Sequence, residues 1–173
     1  LLMRALMDEY KDDQKASAYL ANQLLEEFRG TVYRQTMFAA FERESHRMEE
    51  AGQPLTADSL GELHYRLNQQ YYGDGCVIDD CVRSEWMRIP HFYRAFYVYK
   101  YATGFSAAVY IANRILTEGQ PAVDDYMKFL SAGGSLPPLD ALRLAGVDME
   151  DPATVQDALN VFADTVDQLE ALL

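Results

Sequence analysis

The chain has 173 residues, enough for one compact domain or a sizeable piece of a larger one. Hydrophobic residues make up 49% and charged residues 24%, which builds a core and excludes the disordered class. Fifteen basic against twenty-seven acidic residues give a formal charge of -12, a surface that repels nucleic acid and anionic membranes.

The opening LLMRALMDEYKDD reads as the interior of a helix and has no small-residue cleavage site, so it is expected to belong to a fragment of a longer protein and not to a signal peptide. Ala18 to Glu50 contains no proline and one glycine, with Leu20, Leu24 and Phe28, then Met37, Phe38 and Phe41, at helical spacing. This predicts one long helix, or two separated by a bend near Gly30. Ala51-Gly52 and Pro54 stop it. Thr56 is a good N-cap and Asp58 suits the first turn of a helix running to about Tyr72.

GDGCVIDDCVRSEW is expected to be a loop with a short helical turn near Glu85. Its two cysteines, Cys76 and Cys81, lack CxxC spacing and read as ordinary thiols in a reducing, cytoplasmic setting. Pro90 is predicted to open a helix reaching about Thr117, in which Gly104, Ala108 and Ala112 form a small-residue row where a neighbouring backbone can approach. Glu118 to Pro121 breaks it, a short helix follows from about Ala122 to Ser131, and AGGSLPP is a loop. Leu139 to Leu144 fits one or two helical turns. Asp151-Pro152 starts the last helix, with an apolar stripe of Val155, Leu159, Phe162, Val166, Leu169 and Leu173. No stretch alternates as a strand does, and no span of about 18 apolar residues exists. The predicted architecture is all-α: a single helical domain over residues 1–173 with one core.

The chain has no HExxH, Walker A, GxGxxG or GxSxG motif. His46 and His64 lie in charged or ordinary helical contexts and are expected to have no metal role. His91 differs. It lies in PHFYRAFYVYKYATG, Pro90 to Gly104, which carries six aromatic residues. Buried phenols need hydrogen-bond partners, so tyrosines in this density suit a cleft in which hydroxyls face something. At a helix start, the positive dipole end would keep the His91 imidazole neutral and able to donate a hydrogen bond. The same spacing also describes an ordinary buried helix.

WMRIPHFYRAFYVYKYATGFSAA resembles the C-terminal signature of oligoendopeptidase F, in the thimet-oligopeptidase-like group of zinc metallopeptidases. FRGTVYRQTMFAAFE, QQYYGD and YMKFLSAGGSLPPLDALRLAGVDM are similar to the same family, in the same order. The resemblance implies a mostly helical enzyme that hydrolyses internal bonds of short peptides in a deep channel. It also implies zinc, held in the intact parent enzyme by HExxH and a following glutamate that would lie upstream. This chain would supply the opposite wall, hold no metal alone, and be inactive in isolation. On that wall the resemblance assigns His91 to substrate or intermediate, Tyr99 first and Tyr97 second as oxyanion donor, and Tyr93 to substrate binding. The alternative is a non-catalytic helical interaction module on the same scaffold. Self-association of the fragment is also expected, because a missing half would leave apolar surface exposed.

Overall fold

Local chemistry sets most of the helix boundaries. The computed structural model describes residues 1–173, and these form eight α-helices, a π turn and two 3-10 segments with no strand. The all-α expectation therefore holds. Helix α1 spans Leu2–Glu9 and α2 spans Gln14–Phe28. The Asp13 carboxylate caps α2 by accepting the N–H groups of Lys15 and Ala16 at 3.0 and 3.1 Å. The bend expected near Gly30 takes the form of a π turn, Arg29–Tyr33, leading into α3, Arg34–Glu50. Helix α3 is closed off by Gly52, two residues past its end, which takes a positive φ of 69° and donates its N–H to the Glu49 carbonyl at 2.9 Å.

Helix α4 spans Ala57–Tyr72 and opens with a capping box. Thr56 Oγ1 accepts from the Ser59 N–H at 3.1 Å, and Ser59 Oγ accepts from the Thr56 N–H at 2.9 Å. In place of the single turn expected near Glu85 stands a nine-residue 3-10 segment, Asp80–Arg88. A second 3-10 turn, Pro90–Tyr93, precedes α5, Tyr99–Glu118. Then come α6 (Gln120–Ala132), α7 (Pro138–Leu144) and α8 (Pro152–Leu172). The break expected within Glu118 to Pro121 is present, but α6 starts at Gln120 and not near Ala122, so Pro121 lies inside it. It sits in the first turn of α6, and the break is Gly119 at φ 72°. Asp151 caps α8 as predicted, accepting from the Ala153 N–H at 2.9 Å.

Contacts divide the chain into two units. One comprises Leu1–Arg29 and Thr103–Leu173, the other Gly30–Ala102. In the first, α2 packs on α8 and α1 on α2. The fully buried Phe28 ring meets Phe105 edge-on at 5.0 Å and Phe162 at 5.5 Å. Ala107, Ile111, Ala145 and Val147 form an apolar cluster bordered by Tyr126, Phe129 and Leu142.

Two expectations about this unit are corrected. The most buried line of α8 is Thr154, Ala158 and Thr165, not the larger residues of the predicted stripe, and Leu173 is exposed. Small side chains occupy the closest packing, and the two threonine hydroxyls donate to the Asp148 and Val161 carbonyls at 2.6 Å. Nor is the small-residue row of α5 covered by a backbone. A Cβ added at Gly104 would meet nothing within 4 Å. Ala108 and Ala112 instead line an apolar groove of about 370 Å³ with Leu2, Leu24, Phe105 and Leu116.

In the second unit, α4 packs on α3 and on the Asp80–Arg88 segment. The approach is close enough that a Cβ at Gly61 would sit 3.1 Å from the Arg83 carbonyl oxygen. Met37, Phe38 and Phe41 of α3 meet Leu63 and Leu67 of α4, with Ile89 and Val98 completing the buried cluster.

Candidate functional site

The segment with the predicted site residues is not a continuous helix. The helix expected from Pro90 begins only at Tyr99. The Pro90–Tyr93 turn ends at Arg94, which is extended at φ -120°, and Phe96 then takes φ 56°, a left-handed conformation that a bulky side chain adopts only when it is held there. His91 therefore lies inside a four-residue 3-10 turn and not at the N-terminus of a long helix, so the expected dipole effect on its imidazole has no structural basis.

Two contacts from α3 hold this bend. The backbone N–H of Phe96 donates to Glu42 Oε1 at 2.9 Å. One helical turn further on, the His46 ring lies against the Phe96 ring, centroids 4.7 Å apart. Beneath the bend, Phe92 packs on Phe38 and Phe41 at 5.7 and 5.3 Å, and Val98 is fully buried. Apolar anchors at 92 and 98 thus flank a turn in which residues 93–96 are exposed and Tyr97 rests half-buried against the cluster.

The bend brings three predicted and unpredicted groups together. The His91 imidazole stacks on the Tyr97 ring at 5.4 Å with the planes 14° apart, and meets the Tyr101 ring edge-on at 5.9 Å. The Tyr101 hydroxyl donates to the Tyr97 hydroxyl at 3.4 Å. The Lys100 ammonium lies 3.7 Å from the Tyr97 ring centroid. The Tyr101 hydrogen bond first, and the Lys100 charge second, hold the Tyr97 phenol below its usual range; the same bond, with burial, raises that of Tyr101. A phenol of lowered pKa is a stronger hydrogen-bond donor to a developing anion. Tyr99 and Tyr93 stand apart from this stack, 54% and 88% exposed. Tyr101 was not among the predicted site residues. Its signal in the sequence was the four-residue step from Tyr97.

His64 departs most from its ordinary sequence context. It is fully buried, between Phe38 at 6.2 Å and Phe41 at 5.4 Å. Its Nδ1–H donates to the Val82 carbonyl at 2.8 Å, which fixes the tautomer. Nε2 is buried without a hydrogen-bond partner, 4.0 Å from Glu85 Oε2. Burial pushes its pKa down, against the smaller raising effects of the Val82 bond and Glu85. Glu85 is a weak counter-charge because Arg34 and Arg88 both pair with it at 2.6 Å.

No three His, Cys, Asp or Glu side chains of this chain are grouped to hold a metal ion. His64 is committed to Val82, and His46 Nδ1 lies 2.8 Å from the Glu42 carbonyl. Cys76 and Cys81 are exposed and not joined. A resident zinc therefore does not fit the residues present here. No helix is long and apolar enough to cross a membrane.

The chain is 50% identical over 173 residues to the oligopeptidase PepF of Bacillus subtilis, covering 98% of this chain and 26% of that protein. It is 39% identical over its full length to an oligoendopeptidase F homolog of Lactococcus lactis, covering 29% of it. The crystal structure of oligoendopeptidase-F from Enterococcus faecium superposes with a TM-score of 0.92 at 40% identity, covering 99% of this chain and 33% of that one. This chain thus spans about a quarter to a third of the length of these relatives. Residues 1–161 match the M3 peptidases, and the chain belongs to peptidase family M3.

Proposed function

We propose that residues 1–173 act as one helical part, the C-terminal one, of a cytoplasmic zinc-dependent oligoendopeptidase that cleaves internal bonds of short peptides, and that this part supplies a His/Tyr wall to the active site. The observation that carries the reading is the His91–Tyr97–Tyr101 stack: an imidazole and two phenols gathered where the bend meets the first turn of α5.

Peptide hydrolysis builds negative charge on the carbonyl oxygen as it is attacked, and fixed donors aimed at that oxygen lower the barrier. Tyr97 is the best-prepared donor, because Tyr101 donates to its oxygen and Lys100 stands over its ring. In donating, it need not lose its proton. Tyr99 is the second candidate, separate from the stack. His91, held parallel to Tyr97, has a ring nitrogen available to the substrate backbone, and the exposed Tyr93 suits a contact further along the peptide. Zinc, in the intact parent, would be held by residues outside this chain, so the chain alone is proposed to be inactive. Free of the rest of the protein, the groove lined by Leu2, Leu24 and Leu116 supports self-association of the chain.

The test is turnover of an internally quenched peptide by the full-length protein and by this chain with added zinc. Tyr97→Phe in the full-length protein is expected to lower kcat on the order of 100- to 1000-fold with the fold unchanged. Tyr99→Phe should have a smaller effect. Wild-type turnover after Tyr97→Phe would remove Tyr97 from the reaction, and chelator-sensitive turnover by the chain alone would overturn its inactivity. If neither tyrosine nor His91 affected the rate, a non-catalytic helical module would be the better reading.

A further inference from the structure

Glu42 is the buried carboxyl that the proposed chemistry leaves unused. It is only 3% exposed, it lies on α3, and it reaches across to the bend through its bond to the Phe96 N–H. Its other oxygen, Oε2, is buried with no hydrogen-bond partner. Burying a carboxyl in that state is costly, and a structural core has no use for it. Its one polar partner is the amide of the only non-glycine residue with positive φ. His46, four residues on, holds the ring of that same residue. Two successive turns of α3 thus grip Phe96, one by its backbone and one by its side chain. Phe96 directly precedes Tyr97, so the direction in which the chain leaves the turn decides where the Tyr97 ring meets His91.

We propose that Glu42 is a positioning residue: its carboxyl fixes the left-handed turn at Phe96, and through it the placement of Tyr97 against His91 and Tyr101. This rests on the wall being catalytic, but the grip itself can be measured separately. The geometry supplies a sharp requirement. An acceptor oxygen is needed at Oε1, and a charge is not. Glutamine retains that acceptor, whereas methionine keeps the volume and removes it.

The experiment compares wild type, Glu42→Met and Glu42→Gln in the full-length protein. Amide hydrogen exchange across residues 94–99 is read together with kcat and KM on a quenched peptide, and circular dichroism monitors folding. For Glu42→Met, exchange at the Phe96 amide is expected to speed up on the order of 10-fold or more. The kcat should fall ~10- to 100-fold, as for a group misplaced by about 1 Å, with KM little changed. Glu42→Gln should restore most of both. Unchanged exchange in Glu42→Met overturns the grip. Faster exchange with unchanged kcat upholds the grip and overturns the role of Glu42 in placing Tyr97, while the wall itself stands or falls separately on Tyr97→Phe. Should Glu42→Met fail to fold by circular dichroism, Glu42→Gln decides: wild-type exchange and kcat support the proposal, and a loss of both refutes it.

Discussion

Acidification below pH 6.5 should destabilise the Gly30–Ala102 unit through His64, and the sign follows from burial. His64 is neutral in the folded chain because its ring is enclosed by Phe38 and Phe41 and its pKa is depressed. The groups facing it are the Val82 carbonyl, Asn68, Glu85 and Arg34. In the unfolded chain a histidine titrates near ~6.5. Above that pH both states carry a neutral ring, and the full stability is present. As pH falls below it, the unfolded chain takes up a proton that the folded chain refuses, so stability drops until the folded pKa is passed. One such group sets a slope of at most ~1.4 kcal/mol per pH unit, and so a ceiling of ~2 kcal/mol between pH 6.5 and 5. Against a typical domain stability of about 5–15 kcal/mol this is measurable. The carboxylates with depressed pKa, such as Glu118 and Asp125, lose their contribution only at lower pH. Glu42 acts in the opposite sense: burial raises its pKa, so its contribution is complete below the unfolded value of about 4.5 and is lost as pH rises through the folded one. The assay must therefore be a difference. Urea unfolding is followed by emission of Trp86, the only tryptophan, which stacks on Phe41 in the same cluster. Wild type should lose stability between pH 6.5 and 5 relative to His64→Gln, with the two curves parallel above pH 7. Curves that stay parallel down to pH 5 would refute the buried, neutral assignment.

Two further substitutions probe the frame around the site. Phe41→Ala removes a 4%-exposed ring that touches His64, Trp86 and Phe92, and is expected to cost ~3–5 kcal/mol, read by urea unfolding with a shift in Trp86 emission; a cost under about 1 kcal/mol would mean the cluster is not the unit's core. Gly146→Ala forces φ 74° on a side chain whose Cβ would lie 1.9 Å from Arg114 Nη1, displacing the guanidinium from the Ala145 carbonyl at 2.7 Å; a loss of ~1–2 kcal/mol is expected by calorimetry, while Gly75→Ala, in open space, should leave Tm unchanged.

The parts of the fold readable from sequence are those fixed by neighbours in the chain. Thr56 and Asp151 were legible as caps because the groups they bind lie two or three residues away. The bend at Gly30 was legible for the same reason, though its π form was not. What could not be read depends on distant groups. Spacing alone makes 90–98 a helix, and nothing within the segment announces that Glu42, fifty-four residues earlier, will take the Phe96 amide. His64 looked ordinary because its burial is supplied by α3 and by the Asp80–Arg88 segment, neither adjacent in sequence. The break between α5 and α6 was legible in Gly119 and Pro121, but the start of α6 was placed two residues late because a proline is as much at home in the first turn of a helix as before it. For the site, residue types were legible from 91 to 101, but the pairing of Tyr97 with His91 and Tyr101 required the bend.

The energetics of that bend explain why a buried acceptor stands behind it. A non-glycine residue in the left-handed region costs ~1–2 kcal/mol. The hydrogen bond from the Phe96 amide to Glu42 Oε1 contributes about 0.5–1.5 kcal/mol, close to that strain, and the ring contact with His46 adds to it. Glycine at 96 would remove the strain but also the ring that rests on His46. It would leave the residues before Tyr97 free to sample many directions. A strained phenylalanine gripped at both backbone and ring defines one direction. For donors that must meet a carbonyl oxygen within hydrogen-bond distance, one direction is the property that matters. The fit between strain and grip is close enough that the turn should be among the first features of the unit to loosen when Glu42 loses its acceptor, ahead of the Phe41 cluster beneath it.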